Sequence, residues 1–223
     1  MQKLYDRPFQ YTPPQEPFLT PLYHDKDILV LSKPSGLLSV PGKPEDHADC
    51  LESRAKTRFP TAGIVHRLDL GTSGIMVMAL NAESHRKLSR QFEKRAVLKT
   101  YIARVWGPIK ENTGMIDLPL RCDWPNRPRQ MVDHEQGRPS ITHWEVLERE
   151  QNATRVRLKP ETGRSHQLRV HMLALGHPIL GDEFYAHNEA YKASSRLLLH
   201  AQDLQFYHPT TNEQLTFTAP CPF

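Results

Sequence analysis

Apolar and polar residues are arranged along much of the chain as in short β-strands separated by turns. Residues 22–31 predict a hairpin, with the turn at residues 25–27 and a buried strand at residues 28–31. Residues 74–80 are almost entirely apolar, and the length of this run predicts a fully buried strand. Alternating stretches predict further strands at residues 99–105, 140–149 and 153–159, and residues 196–201 and 214–218 supply the last predicted strands.

Three amphipathic segments predict helices. They are residues 49–58, a segment from the N-cap Asn81 to about residue 95, and a segment from the N-cap Ser165 to the terminating Gly176. Many strands joined by hairpins, with few helices between them, favour an α+β fold around a largely antiparallel mixed sheet with flanking helices.

The first 21 residues differ from the rest in composition, since they are rich in proline and show no periodicity. They predict an extended arm at residues 1–21, either lying over the domain or loose in solvent. No linker divides the remainder, so we expect one domain at residues 22–223.

Composition changes this picture only modestly. The 223 residues carry a net charge of +4, with 38% hydrophobic and 24% charged residues. A basic surface favours a polyanionic partner, although a soluble protein can be basic without one. No apolar run reaches the roughly 20 residues of a membrane span, and the N-terminus lacks a signal-peptide pattern, so we expect a cytoplasmic protein without membrane contact. The three cysteines and twelve histidines show no metal-ligand spacing, and we expect no metal site.

The candidate chemistry centres on residues 66–74, which read HRLDLGTSG. Asp69 is predicted to lie on a loop that leads into the buried strand, where reactive groups are often held. Arg67 could pair with this carboxylate or with a phosphate, and Gly74 would allow close approach by a ligand. The alternative is that Asp69 caps a turn through Thr72 or its neighbour.

Residues 121–129 are a second candidate, because three arginines, Arg121, Arg127 and Arg129, accompany Trp124 in a segment with no regular periodicity. Such a loop could grip phosphates and stack on an unpaired base. Alternatively, Trp124 is buried beneath its own loop.

Two other segments receive plainer interpretations from local chemistry. Residues 33–42 are punctuated by glycine and proline and read as a simple connection. The helix that begins after Asn81 is strongly basic, and we expect a solvated face there in preference to RNA contact.

Several enzyme classes are disfavoured. Ordinary glycoside hydrolysis needs two carboxylates, whereas the strongest segment offers only Asp69. The chain also lacks a Gly-x-Ser-x-Gly elbow, a phosphate-binding P-loop and the zinc-deaminase signature.

Residues 66–74 resemble the signature loop of the RluA family of pseudouridine synthases. Residues 33–42, 99–101, 162–172, 176–182 and 196–201 are similar to the other blocks of that family, in the same order. The resemblance implies a single pseudouridine-synthase-type catalytic domain with RNA-gripping loops. It also implies an enzyme that flips a uridine out of a structured RNA stem-loop and isomerises it to pseudouridine, without a cofactor or an obligatory protein partner. We therefore expect a monomer that binds RNA.

The same resemblance assigns roles to individual residues. Asp69 becomes the catalytic carboxylate, Tyr101 the tyrosine that lies against the uracil, and Arg164 the arginine that pairs with the aspartate. Arg67 matches an arginine that fills the stack vacated by the flipped base, and Leu198 or Leu199 is the apolar wall opposite Tyr101. The expected RNA contacts further include His66, Arg121, Trp124, Arg127 and Arg129.

Length, the lack of an added N-terminal RNA-binding domain of the S4 type, and the loop at residues 122–128 resemble the dual-specificity member of the family. That resemblance implies two substrates, a loop uridine of large-subunit ribosomal RNA and one in the anticodon stem-loop of transfer RNA. The alternatives are a non-catalytic module that remodels RNA stem-loops and a glycosidase that acts on free nucleosides. The sequence leaves open which uridines are modified and whether Asp69 attacks the nucleotide or removes a proton from it.

Overall fold

The computed structural model of the chain describes residues 10–223, so the first nine residues of the predicted arm lie outside the described part. The chain alternates strands with short helices. In order, the elements are β1 (Pro21–His24), β2 (Ile28–Lys33), α1 (Leu51–Arg58), β3 (Gly63–Ile64), β4 (Ser73–Ala79), α2 (Ala82–Glu93), β5 (Leu98–Trp106), β6 (Thr113–Asp117), β7 (Leu120–Cys122), β8 (Gln130–Val132), β9 (Ile141–Arg149), β10 (Ala153–Pro160), α3 (Gln167–Ala174), α4 (Asn188–Lys192), β11 (Leu199–Tyr207) and β12 (Gln214–Thr218).

These elements belong to two compact units. The first unit comprises residues 10–99 and 200–222. Its strands follow the order β1-β2-β4-β11, with β12 paired to β11 and β3 paired to β4. The pairing of β4 with β11 is parallel, and the other strand pairs of this unit are antiparallel.

The second unit comprises residues 100–199 and 223. Its strands follow the order β5-β10-β9-β6, all antiparallel, and β7 and β8 form a separate two-stranded hairpin. The expected mixed and mainly antiparallel sheet with a few helices is therefore confirmed. None of the helices in the described residues combines the length and apolar character needed to cross a bilayer.

The core of the first unit forms where the sequence is most apolar. All seven residues of β4 are buried, and residues 28–31 of β2 are completely so. Helix α2 packs against β4 and buries Leu88. Its predicted N-cap is confirmed, because the Asn81 side chain accepts a hydrogen bond from the Ser84 amide at 2.9 Å.

The core of the second unit joins α3 to its sheet. Met172 of α3 is buried in one cluster with Val105 of β5, Val156 and Leu158 of β10, and Trp144 of β9. The β9–β10 hairpin predicted from alternation is confirmed, and α3 ends as predicted before Gly176, whose φ of 88° is left-handed.

Residues of the predicted arm that are described lie against the first unit. The Tyr11 hydroxyl donates to the Asp49 carbonyl oxygen at 2.7 Å and accepts from the Leu38 amide at 3.1 Å. The buried guanidinium of Arg54 pairs with both carboxylate oxygens of Asp49 at 2.7 Å and donates to the Phe18 carbonyl oxygen. Residues 10–20 therefore follow the first of the two arrangements expected for the arm.

Gly74 is required where β4 and β11 run side by side. Its φ is 118°, and a Cβ added to it would lie 2.1 Å from the Ala201 carbonyl oxygen. The close approach at this glycine involves the neighbouring strand β11. Beside it, the buried Ser73 hydroxyl lies 2.8 Å from Nδ1 of His200.

Replacing Gly74 by alanine is expected to lower the free energy of unfolding by at least about 2 kcal/mol, because the new Cβ adds a backbone clash to a strained φ. Gly176→Ala is the matched control, since its φ is also positive at 88° but nothing lies within 4 Å of an added Cβ. It should cost only about 1 kcal/mol. Urea denaturation measures both variants, and equal losses would contradict the clash.

Candidate active site

Asp69 lies on the segment that connects β3 to β4, named here the Asp69 loop (residues 65–72). Asp69 is half-buried and Arg67 is exposed. The turn at this point is closed by the Thr72 amide, which donates to the Asp69 carbonyl oxygen at 3.1 Å.

A buried lysine holds the Asp69 loop. Lys33, at the end of β2, is 1% exposed, and its ammonium group donates to three carbonyl oxygens. These belong to Pro34 at 3.0 Å, Leu37 at 2.7 Å and Leu70 at 3.2 Å. An ammonium group removed from water is tolerated only when such bonds are made, so the lysine and the loop fix each other.

The serines after Lys33 add further bonds to the same loop. The Ser35 hydroxyl donates to the Gly71 carbonyl oxygen at 2.7 Å. The buried Ser39 hydroxyl donates to the Leu68 carbonyl oxygen at 2.8 Å and accepts from the Leu68 amide at 3.1 Å. The interpretation of residues 33–42 as a simple connection is therefore wrong. Local chemistry missed this role because the bonding partners lie about 30 residues later in the chain.

His66 anchors the start of the loop to its own unit. Its Nε2 accepts a hydrogen bond from the Val77 amide of β4 at 3.1 Å, and its ring stacks on Phe92 of α2 at 4.4 Å between centroids. Burial, helped by the nearby Lys99 ammonium, lowers the pKa of His66 to about 3. The ring is therefore neutral at physiological pH, with its proton on Nδ1. Contact of His66 with RNA stays a prediction.

In the second unit, Tyr101 on β5 is half-buried and packs against the hydrophobic cluster that contains Leu199. Leu198 belongs to a different cluster, with Leu180 and Ala190. Leu198 immediately precedes β11 and Leu199 begins it, and the two side chains pack into different clusters. Of the two candidates for an apolar wall opposite Tyr101, the packing favours Leu199.

Arg164 lies in the turn that precedes α3. Its amide donates to Oε1 of the buried Gln167 at 3.0 Å, and the Thr162 hydroxyl donates to the same oxygen at 2.7 Å. The helix begins after His166, which has a φ of 53° and no capping side chain. The prediction of Ser165 as the N-cap is therefore wrong. The side chain of Gln167, inside the first turn, organises the segment instead.

The predicted gripping segment forms the tip of the β7–β8 hairpin, with a 3-10 helix at Trp124–Asn126. Trp124 is 65% exposed, and the Arg127 guanidinium carbon lies 4.2 Å from its ring centroid. The alternative of a tryptophan buried beneath its loop is therefore wrong. Arg121, by contrast, pairs with Asp133 at the base of the hairpin. The sequence analysis missed the hairpin because each strand has only three residues.

Sequence analysis also missed Tyr185, which supports this hairpin. Its buried hydroxyl accepts from the Gln130 amide of β8 at 2.8 Å and lies 2.7 Å from Nδ1 of His166. The guanidinium of Arg129 lies over its ring at 5.4 Å. Burial raises the pKa of the Tyr185 hydroxyl, so it remains protonated. Tyr185 thus joins the hairpin to the turn that carries Arg164.

A buried ion pair lies beneath Tyr185. Arg169 of α3 binds both carboxylate oxygens of Asp182 at 2.7 Å, and its guanidinium also faces the Tyr185 ring at 5.1 Å. The Asp182 carboxylate accepts a hydrogen bond from the Tyr185 amide at 3.2 Å. Asp182 is the last residue of the block at residues 176–182. Its bonds to Arg169 and to the Tyr185 amide show that it supports Tyr185.

One group of side chains in the described residues has the spacing of a metal site, namely Asp25, Asp27 and His208. Nδ1 of His208 accepts the amides of Thr210 and Thr211, and Nε2 lies 2.9 Å from Asp25. Both ring nitrogens are therefore engaged in bonds that tie two turns together. An ion could bind the histidine only by displacing one of these bonds.

Comparison with known proteins adds independent information. The family model described as RNA pseudouridylate synthase matches residues 27–174. The dual-specificity RNA pseudouridine synthase RluA of Escherichia coli (strain K12) is 56% identical over 214 residues, covering 96% of this chain and 98% of that protein. The protein of the same name from Vibrio vulnificus (strain CMCP6) is 52% identical over 219 residues, covering 96% and 88%.

Solved structures give the same result for the fold. Human RNA pseudouridylate synthase domain containing 1 superposes with a TM-score of 0.77 at 34% identity, covering 92% of this chain and 84% of that one. Human RNA pseudouridylate synthase domain containing 4 gives a TM-score of 0.73 at 26% identity, covering 91% and 88%.

The neutral state of His66 predicts a pH dependence of stability. In the unfolded chain the imidazole takes up a proton near pH 6.5, whereas in the fold it does so only near pH 3. The unfolded state therefore binds more protons between these values, and acidification lowers the free energy of unfolding. Urea denaturation between about pH 7.5 and 4.5 should show that the free energy of unfolding falls more steeply for the wild type than for His66→Gln. Parallel curves for the two proteins would contradict the assignment of this pH dependence to His66.

Proposed function

The chain belongs to the RNA pseudouridylate synthase family and is an RNA pseudouridine synthase, and from this premise we propose that Asp69 is its catalytic carboxylate. The observation that carries the proposal is the complete signature loop at residues 66–74. Buried bonds from Lys33 and Ser39 hold this loop rigidly on a core strand. Enzymes need a reacting group fixed in this way, because misplacement by an ångström is costly.

The reaction exchanges one bond for another. The bond between the ribose C1′ and N1 of uracil breaks, the base turns in place, and a new bond forms between C1′ and C5. The proton on C5 is released while N1 gains one, so atoms and electrons balance without water, an oxidant or a reductant. Asp69 either attacks the nucleotide or removes a proton from it as the first bond breaks. Because the exchange is internal, the proposal includes no cofactor.

Four further residues complete the proposed site. Arg164 is the proposed partner of the Asp69 carboxylate. Tyr101 lies against the uracil and assists the late removal of the proton, with Leu199 as the apolar wall. Arg67, which is exposed on the Asp69 loop, enters the RNA stem when the uridine leaves. Flipping costs a few kcal/mol, and a side chain that fills the gap offsets part of this cost.

The β7–β8 hairpin is the proposed RNA grip. Its exposed Trp124 offers a flat apolar surface for an unpaired base, and Arg127, already stacked on that ring, presents its charge to the backbone. Arg129, stacked on Tyr185, is a second candidate for phosphate contact. Arg121 contributes through the Asp133 pair that closes the base of the hairpin.

For substrates we propose a loop uridine of large-subunit ribosomal RNA and a uridine of the transfer-RNA anticodon stem-loop. The name of the similar Escherichia coli and Vibrio vulnificus proteins, dual-specificity RNA pseudouridine synthase, supports two substrates. The proposal further includes a monomer, a catalytic domain at residues 22–223 and a cytoplasmic location, where both RNAs are found.

A second candidate is a role in remodelling RNA stem-loops that needs no catalysis. The observation that favours it is the exposed pair of Trp124 and Arg127, which could bind RNA whatever happens at Asp69. The two candidates differ in what removal of the carboxylate should do.

Asp69→Asn is expected to reduce pseudouridine formation by at least about a hundredfold, because the amide can neither act as a nucleophile nor accept a proton. Release of tritium from C5 of labelled uridine in a stem-loop RNA measures the rate. The control is Asp117→Asn, which removes an exposed carboxylate at the end of β6. Undiminished release by Asp69→Asn would refute the catalytic assignment, and full cellular activity of that variant would support the remodelling role.

Arg127→Gln is expected to weaken RNA binding and to reduce the slope of log Kd against log salt concentration by about one, if its charge neutralises one phosphate. Fluorescence anisotropy at several salt concentrations measures this slope. Arg129→Gln should behave similarly, and Arg155→Gln on β10 provides a charge-matched comparison. A slope for Arg127→Gln equal to that of the wild type would remove the residue from the RNA interface.

A further inference from the structure

A basic cavity lies in the first unit, between α2 and the turn that joins β11 to β12. Its volume is about 380 Å³, within the range of roughly 300–1,000 Å³ that ligand sites occupy. We name it the α2 cavity. Its lining residues come from α2 and the residues directly after it, and from the turn between β11 and β12. They are Lys87, Arg90, Gln91, Lys94, Ala96, Tyr207, His208, Pro209, Thr210 and Asn212.

The helix contributes its cations from one face. Lys87, Arg90, Gln91 and Lys94 are spaced by one, three or four residues, which places them side by side along α2 and its C-cap. Leu88 lies on the opposite, buried side of the helix. Three cations of α2 and its C-cap, Lys87, Arg90 and Lys94, therefore line the cavity, although the sequence alone favoured an undifferentiated solvated face.

The wall of the cavity is fixed before any ligand binds. The side chain of Gln91 donates to the Tyr207 carbonyl oxygen at 2.7 Å and accepts from the Tyr207 amide at 2.8 Å. The turn is closed from within, because Nδ1 of His208 accepts the amides of Thr210 and Thr211. These bonds hold α2 and the turn at a set distance, so the cations face a preformed space.

The charges around the cavity leave a positive excess. Lys87 pairs with Glu83 at 2.7 Å, and His208 bonds to Asp25. For Arg90 and Lys94, no ion pair occurs with any residue of the described chain, and both side chains are exposed. Two charges thus stay available to an anion from solution.

Helix α2, which lines the cavity, also contacts the Asp69 loop. Phe92, two residues from both Arg90 and Lys94, stacks on His66 at the start of that loop. The helix that presents the cations is therefore the one on which the Asp69 loop rests. Residues two apart on a helix do not face the same side, so Arg90 and Lys94 lie on a different side of α2 from Phe92.

From this placement we propose that the α2 cavity binds phosphodiester groups of the substrate RNA, outside the nucleotide that is modified. This inference rests on the proposed function for the identity of the anion. Arg90 and Lys94 supply the charge, since phosphate neutralisation by such side chains provides most of the sequence-independent affinity for nucleic acid. Their role is to position the RNA and not to select its sequence.

The test compares salt dependence in two double variants of the full chain. Arg90→Gln with Lys94→Gln removes two charges from the cavity. Lys56→Gln with Lys192→Gln removes two exposed charges that do not line it. Binding of a stem-loop RNA is measured by anisotropy across salt concentrations. The cavity variant should reduce the slope of log Kd against log salt by about two, while the control leaves it unchanged.

Two further arms sharpen the result. Arg90→Lys with Lys94→Arg keeps the charge and should retain the wild-type slope, which separates lost charge from damaged folding. A slope unchanged in the charge-removing cavity variant, or reduced equally in the control, would overturn the inference. Tight binding of inorganic phosphate in calorimetry together with an unchanged RNA slope would also overturn it, because the cavity would then take a free anion.

The salt-dependence test and the activity test of Asp69→Asn can fail independently of each other. If Asp69→Asn retained full activity, the catalytic assignment would fail. The salt slope of the cavity variants would still decide whether RNA occupies the α2 cavity.

Discussion

The geometry around Asp69 depends on the buried ammonium group of Lys33. A charge removed from water requires several good hydrogen-bond acceptors, and three backbone carbonyl oxygens from two loops supply them. Any shift of the Asp69 loop would separate the Leu70 carbonyl from this group. The cost of leaving a buried charge poorly solvated therefore becomes a restoring force on the loop. Gly74 adds a second constraint at the end of the loop, because β11 leaves no room there for a side chain.

The second unit combines a rigid support with an exposed tip. Arg169 and Asp182 form a buried pair, Tyr185 packs against it, and the Tyr185 hydroxyl holds both β8 and His166. Both carboxylate oxygens of Asp182 and the Tyr185 hydroxyl have hydrogen-bond partners, which allows such a network to stiffen a core without a large desolvation cost. Trp124 lies at the far end of the hairpin and remains available for contact with RNA. A rigid support at Tyr185 and an exposed side chain at Trp124 suit a hairpin that is proposed to grip a structured nucleic acid.

The structure also sorts the positive charges, which composition only counts. Lys33, Arg54 and Arg169 are buried and hold the fold together through carbonyl oxygens or carboxylates. Arg90 and Arg127 face solvent, where their charge can act on a partner. A net charge of +4 therefore understates the contrast between surfaces, since a small excess can be concentrated at a few positions.

The sequence alone determined most of the longer strands, most helix ends and the identity of the Asp69 loop, because those depend on local periodicity, capping and a contiguous motif. It could not reveal that residues 33–42 clamp that loop, that Gly74 contacts Ala201, or that Tyr185 supports a hairpin of three-residue strands. It also misplaced the start of α3, where Gln167 replaces the expected cap. Apart from the start of α3, where Gln167 bonds to the Arg164 amide three residues away, each of these features joins residues about 30 or more positions apart. Only the packed chain brings such partners within hydrogen-bonding distance, and no local pattern records the pairing.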